Sequence, residues 1–377
     1  MSIVGNEDDF LREFWQQQSK VFLQCFDDIH NVIDGDELAG LACEDEIESR
    51  IISGFGIRGD WQCRQGPFQE EDFSSLEREN WTLLVQEVDQ WDSKIRSVLD
   101  HFKFLPSWRL EDIMVSYAPI GGGVGPHFDN YDVFLIQASG SREWKIGQRC
   151  DDQTELQEND QVKLLAKFDC HSTSQLNPGD MIYVPAGIAH WGTALSDDCI
   201  TLSVGFRAPS QRQLICQTLE NLLERFSHSD EDDKRFYRDT MLSIDAASAK
   251  INQYAHSSVY ELLSEISPDL VRAEGRRAFG QLVTEPRHQS ELDDDYEWTV
   301  SEVETCLVQG AHLMLVQPVH SRIAFSDNGL FVNGQAYEAE KSFSRMICEK
   351  KIDGLLSREE LELLVRLLNQ GDIGIQS

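Results

Sequence analysis

The chain reads as a mainly β domain of the barrel or sandwich type, followed by a helical region and a small mixed C-terminal unit. Three observations predict this. Between residues 110 and 207 the β-rich runs IMVSYAPI, YDVFLIQA, REWKIG, DMIYVPA and ITLSVGF are separated by Gly, Pro, Asn and Asp. Short strands with turn signals between them, and no alternating ten-residue helical pattern, point to a sandwich or barrel. From 210 to 290 the apolar residues recur at helical steps. After Asp293, Asp294 and Asp295 come a helix, short strands and a final helix.

Residues 1 to about 105 mix short helices and strands. Trp81, Leu84, Val85, Val88, Trp91, Ile95, Val98, Leu99 and Phe102 recur every three or four residues, which predicts one amphipathic helix ending near Pro106. In the helical region, Leu214, Ile215, Leu219, Leu222, Leu223 and Phe226 form one apolar stripe. A stripe beyond a finished barrel needs a surface to pack on, and pattern alone leaves a dimer interface and intrachain packing both open. SHSDEDDKR reads as an acidic loop, with more helix through YELLSEI and AFGQLV. The three aspartates read as a solvated linker. Beyond it, TVSEVETCLVQ predicts a helix, HLMLVQ, RIAFS and LFVNG strands, and Asn328-Gly329 a hairpin. The last helix carries a capping box, Ser357 to Glu360, and Gly371 as its stop. Helix, hairpin, helix suggests a winged-helix-like module, although no basic recognition helix is evident in it.

Composition narrows the partners. The 377 residues suit two to three domains. Acidic residues number 66 against 33 Lys plus Arg, a net charge of −33, which repels a phosphate backbone. No direct nucleic-acid binding is expected, and a basic protein is the better partner, although acidity also serves solubility alone. No stretch approaches the roughly 20 apolar residues of a membrane span, and the N-terminus shows no basic or apolar targeting region. A cytoplasmic, non-membrane protein is expected. The nine cysteines are odd in number, widely spaced and without C-x-x-C, which excludes a zinc ribbon or a disulfide framework and leaves mostly reduced, partly buried side chains.

The chemistry concentrates in GGGVGPHFDNYDVF, residues 121 to 134. On a strand, His127 and Asp129 project from the same face, and a glycine-rich loop with Pro126 leads into them. About sixty residues on, NPGDMIYVPAGIAHWG supplies a turn, a strand and then His190. Two histidines and a carboxylate on a β frame make a facial triad, which holds Fe(II) and leaves adjacent positions open. Zinc or manganese accept similar donors, so spacing does not fix the metal. An oxygenase using 2-oxoglutarate also needs a cation for the far carboxylate. Arg142, one short turn after YDVFLIQASG, can hold it bidentately, whereas Lys145 falls on the other face by parity. Ser116, on the strand before the glycine loop, could add a hydroxyl.

These residues also resemble a known family. H-x-D after a glycine-rich approach, an Arg thirteen residues after Asp129, and PGD-x-x-Y-x-P-x-x-x-x-H resemble JmjC-type (cupin) 2-oxoglutarate oxygenases. SRIISGFGIRGDWQCRQGPF, NWTLLVQEV, GGGVGPHFDNYDVFLIQ and SVGFRAP resemble the bacterial ribosomal oxygenases, which hydroxylate an arginine side chain in a large-subunit ribosomal protein. The resemblance spans nearly the whole chain, densely to about residue 210 and loosely beyond. It implies a double-stranded β-helix (cupin jelly roll) oxygenase domain over 1–208, with its core at about 106–208. It further implies a helical dimerisation region over 209–290, giving a homodimer, and a winged-helix-like domain over 291–377. It implies His127, Asp129 and His190 as iron ligands, Arg142 and Ser116 as 2-oxoglutarate contacts, and Fe(II), 2-oxoglutarate and O2 as the reacting set. The expected activity is Fe(II)- and 2-oxoglutarate-dependent protein hydroxylation with succinate as by-product. Two alternatives stand beside it: the same chemistry on another protein or a small molecule, and a non-catalytic cupin-like binding module, which would show no iron dependence and no succinate.

Overall fold

The structure, a computed structural model, describes residues 2–30, 32–57, 60–158, 162–207, 209–227, 237–238, 253–287, 297–309, 312–327 and 329–376. Most of the predicted acidic loop, the Asp293–Asp295 linker and Asn328 lie outside the described residues. The chain divides into two compact units, Met1–Ala208 and Pro209–Ser377.

In the first unit the elements run α1 (Glu7–Glu13), β1 (Lys20–Phe22), α2 (Gly35–Leu41), β2 (Ser49–Ser53), β3 (Gln62–Gln65), α3 (Glu70–Ser74), β4 (Trp81–Val85), α4 (Val88–Trp91), α5 (Ser93–Ser97), β5 (Leu110–Ala118), β6 (Asp132–Ser139), β7 (Arg142–Arg149), β8 (Ser172–Leu176), β9 (Met181–Val184), β10 (Ile188–Ala194) and β11 (Cys199–Phe206). They form an eight-stranded sheet, ordered β1-β9-β6-β11-β5-β4-β2-β3, and a three-stranded sheet, β10-β7-β8. Every pairing in the two sheets is antiparallel. Val133 and Leu135 of the large sheet pack with Trp144, Ile146 and Leu176 of the small one, so the sheets face each other across an interior. Alternate residues, among them Leu83, Ile113, Val115, Phe134 and Ile200, turn to the outer face and join Phe10 and Leu38 of the N-terminal helices. β11 is buried along its whole length, as a strand covered on both faces must be.

The five predicted strands of this region form as β5, β6, β7, β9 and β11. The large sheet also recruits β1 to β4 from the first 85 residues, upstream of the expected core. The single helix expected over residues 81–102 does not form. Its first five residues, WTLLV, are β4, hydrogen-bonded between β2 and β5, and the rest breaks into α4, α5 and a short 3-10 turn over Val98–Phe102. Its apolar residues serve a sheet as well as a helix, because Leu83 and Val85 alternate with Thr82 and Leu84. The break comes at Glu87, with φ +51°. A place in mid-sheet overrides local helical periodicity.

In the second unit come α6 (Gln211–Ser227), α7 (Gln253–Leu262), α8 (Pro268–Thr284), α9 (Val300–Gln309), β12 (His312–Val316), β13 (Ile323–Ser326), β14 (Gly329–Val332), β15 (Gln335–Tyr337), α10 (Lys341–Cys348), β16 (Lys351–Asp353), α11 (Arg358–Asn369) and β17 (Gly374–Ile375). The apolar stripe on α6 divides. Leu222 is buried with Thr218 and Asn221, and the Asn221 amide donates to Gln281 on α8 at 2.8 Å. Ile215, Leu219, Leu223 and Phe226 stay exposed, Leu219 and Leu223 at 60% and 68%. Residues from Val303 to Ile373 build their own apolar core. The Ser357–Glu360 capping box forms, and Gly371, at φ +68°, closes α11 with a bond to the Leu368 carbonyl. In the predicted hairpin Ser326 pairs with Gly329, so Gly329 opens the second strand instead of completing the turn. Among the described residues no helix is long and apolar enough to cross a membrane, and all nine cysteines are free.

Candidate metal centre

His127, Asp129 and His190 converge, each offering one donor atom within 4.8 Å of the others. The glycine run delivers the first two. A Cβ on Gly123 would stand 2.3 Å from the Gly192 carbonyl oxygen of β10, so only glycine lets the loop lie that close. Gly125 has φ +78°, and a Cβ there would meet Leu164 at 2.7 Å. His127 then makes an isolated antiparallel bridge to His190, with N–H···O bonds of 3.1 and 2.8 Å. It is not on a regular strand as expected, since β6 begins only at Asp132. One bridge and a bond from the Gly187 amide to the Asp129 carbonyl at 2.7 Å hold the segment in place instead.

The backbone also sets the imidazoles. The Nδ1 of His127 lies 2.9 Å from the Gly125 carbonyl, and that of His190 lies 3.0 Å from the Ile188 carbonyl. A carbonyl can only accept, so each Nδ1 carries the proton and each Nε2 presents a lone pair. The Asp129 Oδ2 approaches these nitrogens at 3.9 Å for His127 and 3.5 Å for His190. Burial, reinforced by the neighbouring His127, lowers the pKa of His190 to about 4. The imidazole is therefore neutral, and its approach to Asp129 is a convergence of donors rather than an ion pair. Two imidazole nitrogens and one carboxylate on one side of an interior fit a divalent first-row metal with adjacent positions open.

Arg142 opens β7 and pairs with Ala194, whereas His190 pairs with Ile146. Four residues along the strands is about 13 Å, within reach of a guanidinium arm together with a short diacid. The Arg142 side chain is 3% exposed, yet its Nε and Nη2 have no hydrogen-bond partner among the described residues. A buried cation left that way is costly, which marks the place of an anion. The connection from Ser139 to Arg142 is a corner, because β6 and β7 belong to different sheets. Lys145 lies on the opposite face of β7, paired with Glu143 at 2.9 Å. Ser116 is buried on β5 and donates a long 3.3 Å bond to the Thr201 carbonyl.

Sequence reasoning missed three contributors. β10, which carries His190, was not predicted as a strand because GIAHWGTA lacks a β-branched run. Trp144 sits between the two centres, its ring 5.9 Å from that of His190 and 5.8 Å from the Arg142 guanidinium; parity with Arg142 was the available signal. Asp180 of the PGD turn is structural, its carboxylate accepting from the Gln24 and Asn177 amides at 2.9 and 2.8 Å.

Comparison with known proteins agrees with this geometry. The model of the JmjC domain matches residues 97–214. The "Ribosomal protein uL16 3-hydroxylase" of Escherichia coli K12 is 32% identical, over 97% of this chain and 96% of its own. A "Probable ribosomal oxygenase" of Haemophilus influenzae is 29% identical, over 92% and 85%. The solved structure of YcfD, a ribosomal oxygenase from Escherichia coli in complex with cobalt and 2-oxoglutarate, superposes with a TM-score of 0.75 at 30% identity, covering 99% of this chain and 98% of that one. The cupin-type arrangement of mostly antiparallel sheets is thus the JmjC fold.

Proposed function

The chain belongs to the JmjC-domain ribosomal oxygenases, and from that premise we propose that it hydroxylates an arginine side chain of the large-subunit ribosomal protein uL16, using Fe(II), 2-oxoglutarate and O2. The observation that carries this reading is the buried, unpartnered guanidinium of Arg142 set four residues along β7 and β10 from the His127, Asp129 and His190 donors. That pairing suits a chelating diacid with one end at a metal and the other at a cation.

In this reading His127, Asp129 and His190 would hold the iron. Iron with 2-oxoglutarate and O2, when bound, would supply the oxidising power that an unactivated C–H bond requires, one oxygen atom going to the substrate carbon and the other to succinate, with CO2 lost from the 2-oxo acid. The protein supplies position. Gly125 and Ile188 carbonyls fix the imidazole tautomers, Arg142 orients the far carboxylate bidentately, and the Ser116 hydroxyl exchanges its long bond to Thr201 for that carboxylate. The net charge of −33 attracts a basic substrate.

The oligomer and domain assignments belong to the same proposal. The exposed Ile215, Leu219, Leu223 and Phe226 on α6 support a homodimer formed through residues 209–290. The separate apolar core from Val303 to Ile373 supports a distinct winged-helix-like module over 291–377. The test is intact mass analysis of large-subunit ribosomal proteins from cells with and without this gene. A mass lower by about 16 Da on uL16 in the deleted strain, the mass of one oxygen atom, is the expected result. No change on any ribosomal protein would overturn the assignment.

A further inference from the structure

A cavity of about 470 Å³ lies on the opposite face of the large sheet from the metal centre. Leu83 and Ile200 of its lining belong to the outer core, whereas Ser116 and Thr201, alternating with them, turn inward. Its floor is apolar. Trp81 and Tyr117 make one wall, their rings 5.8 Å apart and tilted by 37°. Three carboxylates, Asp34, Asp36 and Asp198, complete the lining, which contains no Lys, Arg or His.

These groups are held in place. Asp34 caps α2, accepting from the Glu37 amide at 2.8 Å. The Tyr117 hydroxyl donates to Asp198 at 2.8 Å, and Asp198 sits in the left-handed region at φ +53°. Tyr117 packs so closely beneath α2 that a Cβ on Gly35 would stand 2.7 Å from its ring. Burial first, then the bond to Asp198 and the charges of Asp198, Asp197 and Asp36, raise the Tyr117 pKa. The Asp36 carboxylate stands in the first turn of α2.

An apolar floor, two aromatic faces and an anionic rim select a cationic head on an apolar stem. We infer that this cavity is a docking site for an arginine or lysine side chain of a basic polypeptide, separate from the residue that enters the metal centre. The choice of a polypeptide rests on the function proposed above; the cation chemistry rests on the cavity alone. A second anchor on the far face of the sheet would hold a long basic substrate without taking part in the reaction.

The experiment uses the full chain labelled with 15N-tryptophan, with the Trp81 indole signal assigned through Trp81→Phe. N-acetyl-arginine methylamide should shift that signal, with affinity falling as salt rises. The neutral N-acetyl-norleucine methylamide should not. Asp36→Asn with Asp198→Asn, which keeps an acceptor for Tyr117, should weaken the arginine probe about fivefold while the other tryptophan signals stay in place. The same double variant should raise KM several-fold for the intact ribosomal protein and leave it unchanged for a short peptide spanning only the modified residue. Equal shifts with the neutral probe, or unchanged affinity in the double variant, would overturn the site. Tighter binding of spermidine than of the arginine probe would assign it to free polyamines and overturn the polypeptide. Absence of any ribosomal-protein turnover would sink the proposed function alone, because the probe titration still reads the cavity.

Discussion

At the scale of single residues, the proposed centre rests on a few groups whose roles substitution can test. Arg142 is the clearest case, because it is buried and unpartnered while Lys145, three positions on, is half-exposed and already paired. Truncating one partner of a buried charge pair costs about 2–5 kcal/mol, or roughly 30- to several-thousand-fold in affinity. Arg142→Ala should therefore raise the 2-oxoglutarate requirement steeply and leave iron binding nearly unchanged. Lys145→Ala removes a surface pair worth about 0–1 kcal/mol and should change little. Titration of 2-oxoglutarate into the anaerobic iron complex, followed by its charge-transfer absorbance, checks both; a large loss in Lys145→Ala alone would put the anchor on the wrong face of β7. The donors make a second prediction. His127→Ala, Asp129→Ala and His190→Ala should each lose iron on dialysis and abolish succinate formation, with far-UV circular dichroism unchanged. Full turnover in any one would remove that residue from the set.

At the scale of elements, one packing feature brings the donors together and a second bears on the proposed dimer. The glycine loop passes so close to β10 that Gly123→Ala drives a methyl group into the Gly192 carbonyl. Overpacking of this kind costs about 1–3 kcal/mol, and here it should also part His127 from His190. Chemical denaturation should show a lower midpoint at unchanged slope, together with weaker iron retention; wild-type values in both would mean that the loop has room to move. The other feature is α6. Its inward face is partly polar, with Thr218 and Asn221 buried beside Leu222 and Asn221 bonded to Gln281, while Ile215, Leu219, Leu223 and Phe226 look outward. Asp at both Leu219 and Leu223 would bury two unpartnered carboxylates in a dimer, at a cost of several kcal/mol. Light scattering should then report monomers, and a persistent dimer would move the interface elsewhere.

At the scale of the whole molecule, the net charge of −33 makes a prediction about capture. With 66 acidic residues against 33 basic ones, encounter with the proposed basic substrate would be steered by the long-range field, which salt screens within about 10 Å at 0.1 M. Raising ionic strength should lower kcat/KM for the intact substrate by about tenfold between low and high salt while kcat stays near its starting value. A kcat/KM insensitive to salt would show that the acidity serves solubility alone.

The sequence by itself determined what depends on short-range rules. Short β-rich runs bounded by turn residues identified β5, β6, β7, β9 and β11, the spacing of His127 and Asp129 put two donors on one segment, and parity separated Arg142 from Lys145. Cap chemistry marked both ends of α11, because Ser357, Glu360 and Gly371 act within a turn of the backbone they satisfy. Tertiary structure alone decided the rest. WTLLV became a strand because β2 and β5 flank it, and no local pattern reports neighbours from residues 49 and 110. His190 met His127 through a single bridge across 63 residues of chain, formed on a strand too poor in β-branched residues to announce itself. The want of a partner at Arg142, which carries the functional reading, is a property of its surroundings. A sequence shows that a cation is present, and only the packed interior shows that nothing in the described chain neutralises it.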